Sequence, residues 1–391
     1  MHILFRKLVS FAVMLSLSIG SVSFASVRAD LETIKHDAIT NYAAIVLAGY
    51  EDSLTLAQEL QEKIAEFVAS PSAETQQAAK DAWLATREPY GQTEAFRFYG
   101  GPIDDAEGPE GLINAWPLDE VYVDYVEGAP DSGIINDLET YPDIDAALLE
   151  SLNENGAEEN VSVGFHAIEF LLWGQDLNAD GAGERSYSDY TTAPNADRRG
   201  QYLSIVTDLV VEHLQYLVDA WSPDNADNYL ASFLALDTDE AISHMYVGIG
   251  VLSKSELAGE RMFTAYDNQD QEDEHSCFSD NTHRDLINNL VGIRNVYLGS
   301  YTRIDGTVVA GTSLADVMEQ VDPEANARTL ELLDMAEEQV NNIHVPFDQA
   351  IVRAEYRPQV LDTVLTLFDL GDQFAEDAHL LGLVINTALP E

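Results

Sequence analysis

The sequence predicts an all-α protein built as two helical-bundle-like halves, with long loops between the helices. Three observations carry that expectation. Apolar residues return every three to four positions over long stretches, alternating strand-like runs are scarce, and Gly/Pro/Asp-rich segments separate the periodic ones. In chain order, Leu31, Ile34, Ala38, Tyr42, Ile45 and Val46 keep one helical face, which Leu56, Leu60, Ile64 and Phe67 continue. Ser70-Pro71 predicts the next helix start, with proline in the first helical position and the helix running through Trp83 towards Arg87. Arg199 to Trp221 repeats the pattern with Leu203, Val206, Leu209, Val210, Leu214 and Leu217. Gln359 to Asn386 closes the series with Leu361, Val364, Leu365, Phe368, Leu380 and Leu381. The loops are Gly100–Gly111, Gly128–Gly133 and Gln175–Asp197, the last long enough to suggest a functional or lid role.

At 391 residues the chain is long for one core. A break at Ser222 to Asn228 divides it into an expected N-terminal half, residues 30–222, and a C-terminal half, residues 223–391. A faint echo supports internal duplication, since Arg199, Gln201, Leu203, Val206 and Leu209 recur in the spacing of Arg357, Gln359, Leu361, Val364 and Leu367. Residues 1–25 read as a secretory signal: Arg6 and Lys7 precede a short apolar run, and cleavage is expected after Ala25 or Ala29. That run is too short to span a bilayer, and no transmembrane segment is expected downstream. The expected location is therefore outside the cytoplasm, in the periplasm or at the outer surface.

The formal net charge of −50 excludes nucleic acid and anionic membrane surfaces as natural partners, because both would be repelled. It favours cations near the surface, although a solvated acidic shell explains most of it. Cys277 is the only cysteine, so no intramolecular disulfide forms.

Four segments carry possible chemistry. In GFHAIEFLLWGQD (residues 164–176), His166 and Glu169 are three apart and share one face of a helix. An imidazole nitrogen and a carboxylate oxygen converging there are half of a coordination sphere for a first-row metal ion. A core histidine bonded to its glutamate neighbour, needing no metal, explains the same string. In QEDEHSCFSDNTHRD (residues 271–285), Glu274, His275, Asp280 and His283 are candidate ligands, or members of an acidic loop in which Asp280 or Thr282 caps the next helix. In the stretches around Trp83–Asp105 and Asn114–Tyr125, Glu94 and Asp119 are candidates for a third ligand. Arg87, Arg97 and Glu120 are candidates for supporting partners there, and buried Arg–carboxylate pairing is the alternative. In VLSKSELAGERM (residues 251–262), Glu256 and Glu260 lie one α-helical turn apart and read as an ion-pair face or as supporting residues.

Taken together, these strings resemble the imelysin-like family, and within it the branch called iron-regulated protein A. Gly164, His166 and Glu169 meet the family's G-x-H-x-x-E motif, and WPLDE, LSKSELAGERM and EDEHSCFSDNTH follow the branch pattern in order. The resemblance implies an extracytoplasmic helical protein of an iron-acquisition system, with a metal site in a cleft between two halves. Only His166 and Glu169 carry over as site residues. The implied cargo is a metal ion or metal chelate, iron before zinc, and the implied partner is an iron-transport component. The alternative it implies is a zinc metallopeptidase of the imelysin type. The chain lacks an H-E-x-x-H or H-x-x-E-H string to support that. A di-iron reading rests only on the spacing of Glu272 with His275 and Glu376 with His379.

Overall fold

The computed structural model describes residues 2–178 and 180–389, with side chains from Ala29 onwards. The export segment expected over residues 1–25 lies outside the described side chains. The chain is helical, as its periodicity predicts, and its one sheet among the described residues is a two-stranded hairpin.

Helix α1 (His2–Ala69) buries Ala38, Tyr42, Ile45, Val46, Leu60, Ile64 and Phe67, the stripe that the sequence marks. Helix α2 (Ala73–Thr93) starts two residues later than Ser70-Pro71 implies. Ser72 is the cap, its Oγ accepting from the Thr75 amide in a reciprocal capping box, and that pairing outweighs the proline signal. One tight turn, Glu94–Phe96, ends the segment, so Arg97 stands on extended backbone rather than on a helix.

Helix α3 (Gly164–Trp173) is buried at every position. Its first residue has φ +86°, and a Cβ there would stand 2.6 Å from the Ile113 carbonyl oxygen, so only glycine fits the start of this helix. Helix α4 (Ala196–Trp221) buries the predicted face and stops at the expected break. The loop before it is not featureless. It holds a tight turn at Tyr187–Tyr190 and donates the Gly183 amide to the Phe278 carbonyl, which seats it on the His275 segment.

Helix α5 (Thr238–Val251) runs directly into a π-helix, Leu252–Thr264. The sequence suggests α-helical spacing for Glu256 and Glu260, whereas the observed pairing is Glu256 with Arg261, five residues on. Five residues is the hydrogen-bond step of a π-turn. Helix α6 (Thr282–Leu298) leads into strands β1 (Ser300–Thr302) and β2 (Val308–Ala310), antiparallel with Tyr301 opposite Val309. Asp52 of α1 anchors this hairpin by accepting from the Tyr301 hydroxyl, the Ile304 amide and the Arg303 guanidinium. Helices α7 (Pro323–Asn341) and α8 (Arg357–Leu380) complete the chain. Helix α8 ends six residues before Asn386 because Gly382 turns into the left-handed region at φ +83°. Leu365, expected on its apolar face, is exposed, and Val364, Leu367, Leu370 and Phe374 do the packing.

Helix α1 packs on α2 and α4, and α3 packs on α2 and α4. Helix α8 packs on the π-helix, α5 and α7, while α2 lies against α6. The apolar core runs without interruption from Ile39 to Ala378. The two echoing helices begin alike. Arg199 donates to the carbonyls of Asp189 and Pro194 and lies over the Tyr125 ring, and Arg357 donates to the Tyr266 and Ile351 carbonyls and lies over the Tyr266 ring.

Candidate metal centre

Helix α3 is held rigidly, with the Trp83 indole donating to the Phe165 carbonyl at its first turn. His166 and Glu169 share a face, as their spacing requires, but they meet each other rather than lying open side by side. His166 Nδ1 and Glu169 Oε2 share a hydrogen bond of 2.9 Å. The second Glu169 oxygen accepts from the Ser279 amide at 2.9 Å and the Ser279 hydroxyl at 2.6 Å. Glu169 is thus engaged at both oxygens, and it ties α3 to the segment that carries His275. His166 Nε2 is buried and has no hydrogen-bond partner.

The loop before α6 brings His275 beside that ring. The two imidazoles are 4.7 Å apart between centroids, at an interplanar angle of 77°. His275 repeats the arrangement of His166: its Nδ1 donates to Asp285 Oδ2 at 2.9 Å. Asp285 is in turn held by the Ser276 hydroxyl at 2.5 Å and by Arg87, whose other arm reaches Asn114. The only polar group near His275 Nε2 among the described contacts is Asn114 Nδ2, at a long 3.5 Å. Trp116 flanks both rings, 4.9 Å from His166 and 6.5 Å from His275.

Burial governs the electrostatics. It pushes the Glu169 carboxyl up to about 8 and holds His166 well below the ordinary imidazole value, with His275 adding to the depression. His275 is lowered to about 4, again by burial first and then by Arg261. Burial alone would raise Asp285, but Arg87, His275 and Ser276 outweigh it and hold the carboxyl low. Both rings are therefore neutral at neutral pH, with each Nδ1 committed to a carboxyl group. That is the orientation metal-binding histidines adopt, because the outer partner fixes which nitrogen faces the ion.

His275 also lines a cleft of 490 Å³ bounded by Trp116, Arg97, Arg261, Glu110, Glu256 and Glu260. Glu94 does not reach the imidazoles as a third ligand. It accepts from Arg97 at 2.7 Å and Arg261 at 2.6 Å, and those charges hold its pKa down against the effect of burial. Glu256 joins the same ion-pair group, while Glu260 is exposed at the cleft wall and pairs with no cation among the described residues. Asp119 caps the one-turn helix Glu120–Val123 by accepting from the Val121 amide, and Glu120 is the first residue of that turn. His283 donates Nδ1 to the Asp280 carbonyl, in the first turn of α6.

The expected capping by Asp280 or Thr282 is not seen. Asn281 occupies the cap without a side-chain bond, Thr282 Oγ1 accepts from the Ser276 amide, and Asp280 stands at φ +56°. Glu274 and Asp280 face Asp348 instead of the imidazole pair. The di-iron spacing fails on exposure, since Glu272, Glu376 and His379 are all exposed. Asp285, Asn114 and Ser279 belong to the site and escaped sequence reasoning. Nothing local marks them, because each acts across the chain.

The comparisons agree with the helical architecture. The family model described as Imelysin matches residues 46–374. Iron-regulated protein A of Synechococcus elongatus is 28% identical over 288 residues, covering 71% of this chain and 67% of that protein. The fold is similar to a solved structure from Parabacteroides distasonis described as an iron-regulated protein A precursor. There the TM-score is 0.71 at 21% identity, over 89% of this chain and 95% of that one. It is also similar to an imelysin-like protein from Psychrobacter arcticum, with a TM-score of 0.61 at 12% identity over 91% and 98% of the two chains. With the family pattern matched across most of its length, this chain belongs to the imelysin family.

Proposed function

We propose that this chain binds iron as cargo for an iron-acquisition system outside the cytoplasm, handing it to an iron-transport component. The ligands are His166 Nε2 and His275 Nε2, with Glu169 and Asp285 as the carboxyl groups that orient them. One observation carries the reading: His166 Nε2 is buried without a partner, beside a second imidazole pinned in the same way. Leaving a buried polar atom unsatisfied costs about 1–3 kcal/mol, a cost that a bound cation would remove. Two neutral imidazoles suit iron(II) or zinc better than calcium or magnesium.

The cleft beside His275 supports entry of a hydrated cation rather than an anionic chelate. Its walls carry six carboxylates against two guanidinium groups, and the whole chain is strongly negative. The name of the Synechococcus relative supports an iron-linked role, and no helix among the described residues is long and apolar enough to cross a membrane.

The second reading, a zinc metallopeptidase, draws on the family to which the chain belongs. It needs a third protein ligand and a carboxylate free to take a proton from water. Glu169 has both oxygens engaged, so it serves poorly as that base.

The test is metal analysis of protein purified without added metal, followed by anaerobic iron(II) titration. The expected result is one iron per chain, bound far more weakly by His166→Ala. Chelator-sensitive cleavage of a denatured protein substrate by the purified chain would overturn the cargo reading in favour of the second.

A further inference from the structure

We infer a second cation site, built only of carboxylates and separate from the imidazole pair, that takes calcium. Glu274 of the His275 loop, Asp280 at the end of that loop and Asp348 of the short helix Phe347–Val352 converge there. Their carboxylate oxygens lie within 4.8 Å of one another. Glu274 is completely buried and Asp348 is 4% exposed.

Proximity of acidic groups is ordinary in so negative a chain, and the decisive feature is the state of Glu274. Both of its oxygens are buried and neither meets a donor at full hydrogen-bonding geometry, the Thr282 hydroxyl standing close enough only to favour the charged form. No ion pair among the described residues involves Glu274, Asp280 or Asp348, and Arg353, close by in sequence, is engaged with Asp180. A buried carboxylate facing two others is destabilising unless a cation stands between them or one of them keeps a proton, which a cation would displace.

The donor set chooses the cation. Oxygen-only ligands favour hard ions over iron or zinc. Magnesium sheds its water reluctantly and holds to octahedral geometry, whereas calcium accepts irregular sets of carboxylates. Three carboxylates around a fully buried Glu274 therefore suit calcium. Asp348 keeps two bonds from Gln349, to its amide and side-chain nitrogens, which hold the carboxylate in place.

The location gives the site its work. Glu274 directly precedes His275, and Asp280 ends the same loop. A calcium ion shared with Asp348 clamps this loop to the C-terminal part of the chain and so holds the His275 wall of the first site.

The experiment compares thermal unfolding of the metal-free protein in chelator, in calcium and in magnesium, at matched ionic strength, with calorimetric titration of calcium alongside. Calcium at 100-fold over its Kd should raise Tm by roughly 3–5 °C, magnesium by less, with one stoichiometric site. Glu274→Gln should abolish the calcium shift while matching or exceeding the wild-type Tm in chelator, because it removes a repelled buried charge. Asp280→Asn should behave likewise, and asparagine suits the left-handed backbone there. The double variant His166→Ala/His275→Ala should keep the calcium shift, so this site stands or falls apart from the iron proposal. Equal calcium shifts in wild type, Glu274→Gln and Asp280→Asn would overturn the inference, as would no shift in wild type.

Discussion

The Asp124 cluster and the His166–His275 pair are both buried, and both are attached to helix α3, yet they differ in how completely their polar atoms are used. Asp124 receives Arg185 and Arg199 on one oxygen, at 2.6 Å each, and Arg199 and Asn136 on the other, at 2.9 and 3.1 Å. Arg185 donates through Nη1 and leaves Nε buried without a hydrogen bond, its guanidinium lying over the Tyr125 and Phe170 rings. Its charges are consumed in holding segments together. The imidazole pair is equally well buttressed at each Nδ1, but the support stops there, and at His166 it leaves the buried Nε2 with no partner. Burial of polar groups alone therefore does not mark a binding site in this fold. An oriented but unfinished group does.

Substitutions in the two regions should separate these roles. The largest effect is expected at the imidazoles: His166→Ala and His275→Ala should each weaken iron(II) binding by more than about 100-fold with the helical circular dichroism unchanged, since direct ligands matter more than their outer partners. Asp124→Asn should leave that affinity alone and cost about 3–5 kcal/mol of stability in denaturant unfolding, because it uncovers two buried guanidinium groups. Glu169→Gln should reduce affinity by about 10–100-fold, the range for an orienting partner.

The pH response sharpens the same contrast. Burial would raise the Asp124 carboxyl, but the hydrogen bonds and charges of Arg199 and Arg185 lower it below its unfolded value. Its contribution to stability is therefore full above about pH 4 and is lost as pH falls through the folded pKa. His275 has its folded pKa depressed to about 4, so acid favours the unfolded chain from about pH 6.5 downwards until that value is reached. Unfolding free energies measured between pH 7 and pH 3 should thus show a loss in Asp124→Asn that is smaller below pH 4 than wild type shows. In His275→Gln the slope between pH 6.5 and pH 4 should flatten. The smallest effect is expected at the cleft wall. Glu260→Gln should slow iron association by about 2-fold at low ionic strength and by nothing measurable in high salt.

What the sequence disclosed follows the range of the forces involved. The long helices were legible because burial repeats every three to four residues, and the break at Ser222 to Asn228 was legible from its turn residues. The pairing of His166 with Glu169 was legible as a shared helical face, and their bond to each other as the alternative the same spacing allows. The approach of His275 to His166 was not legible. It depends on Ser279 reaching Glu169 and on Arg87 of α2 fixing Asp285 of α6, contacts that leave no periodic trace. The π-helix was hidden for a related reason. The pairing of Glu256 with Arg261 looks mismatched in α-helical spacing and makes sense only once the backbone widens.

X-ray absorption at the iron edge of the iron-loaded protein tests the central claim most directly, by counting the imidazole nitrogens around the metal. Two in the wild type, falling to one in His275→Ala, is the result expected here. An oxygen-only shell in the wild type, or the same shell in both proteins, would contradict it.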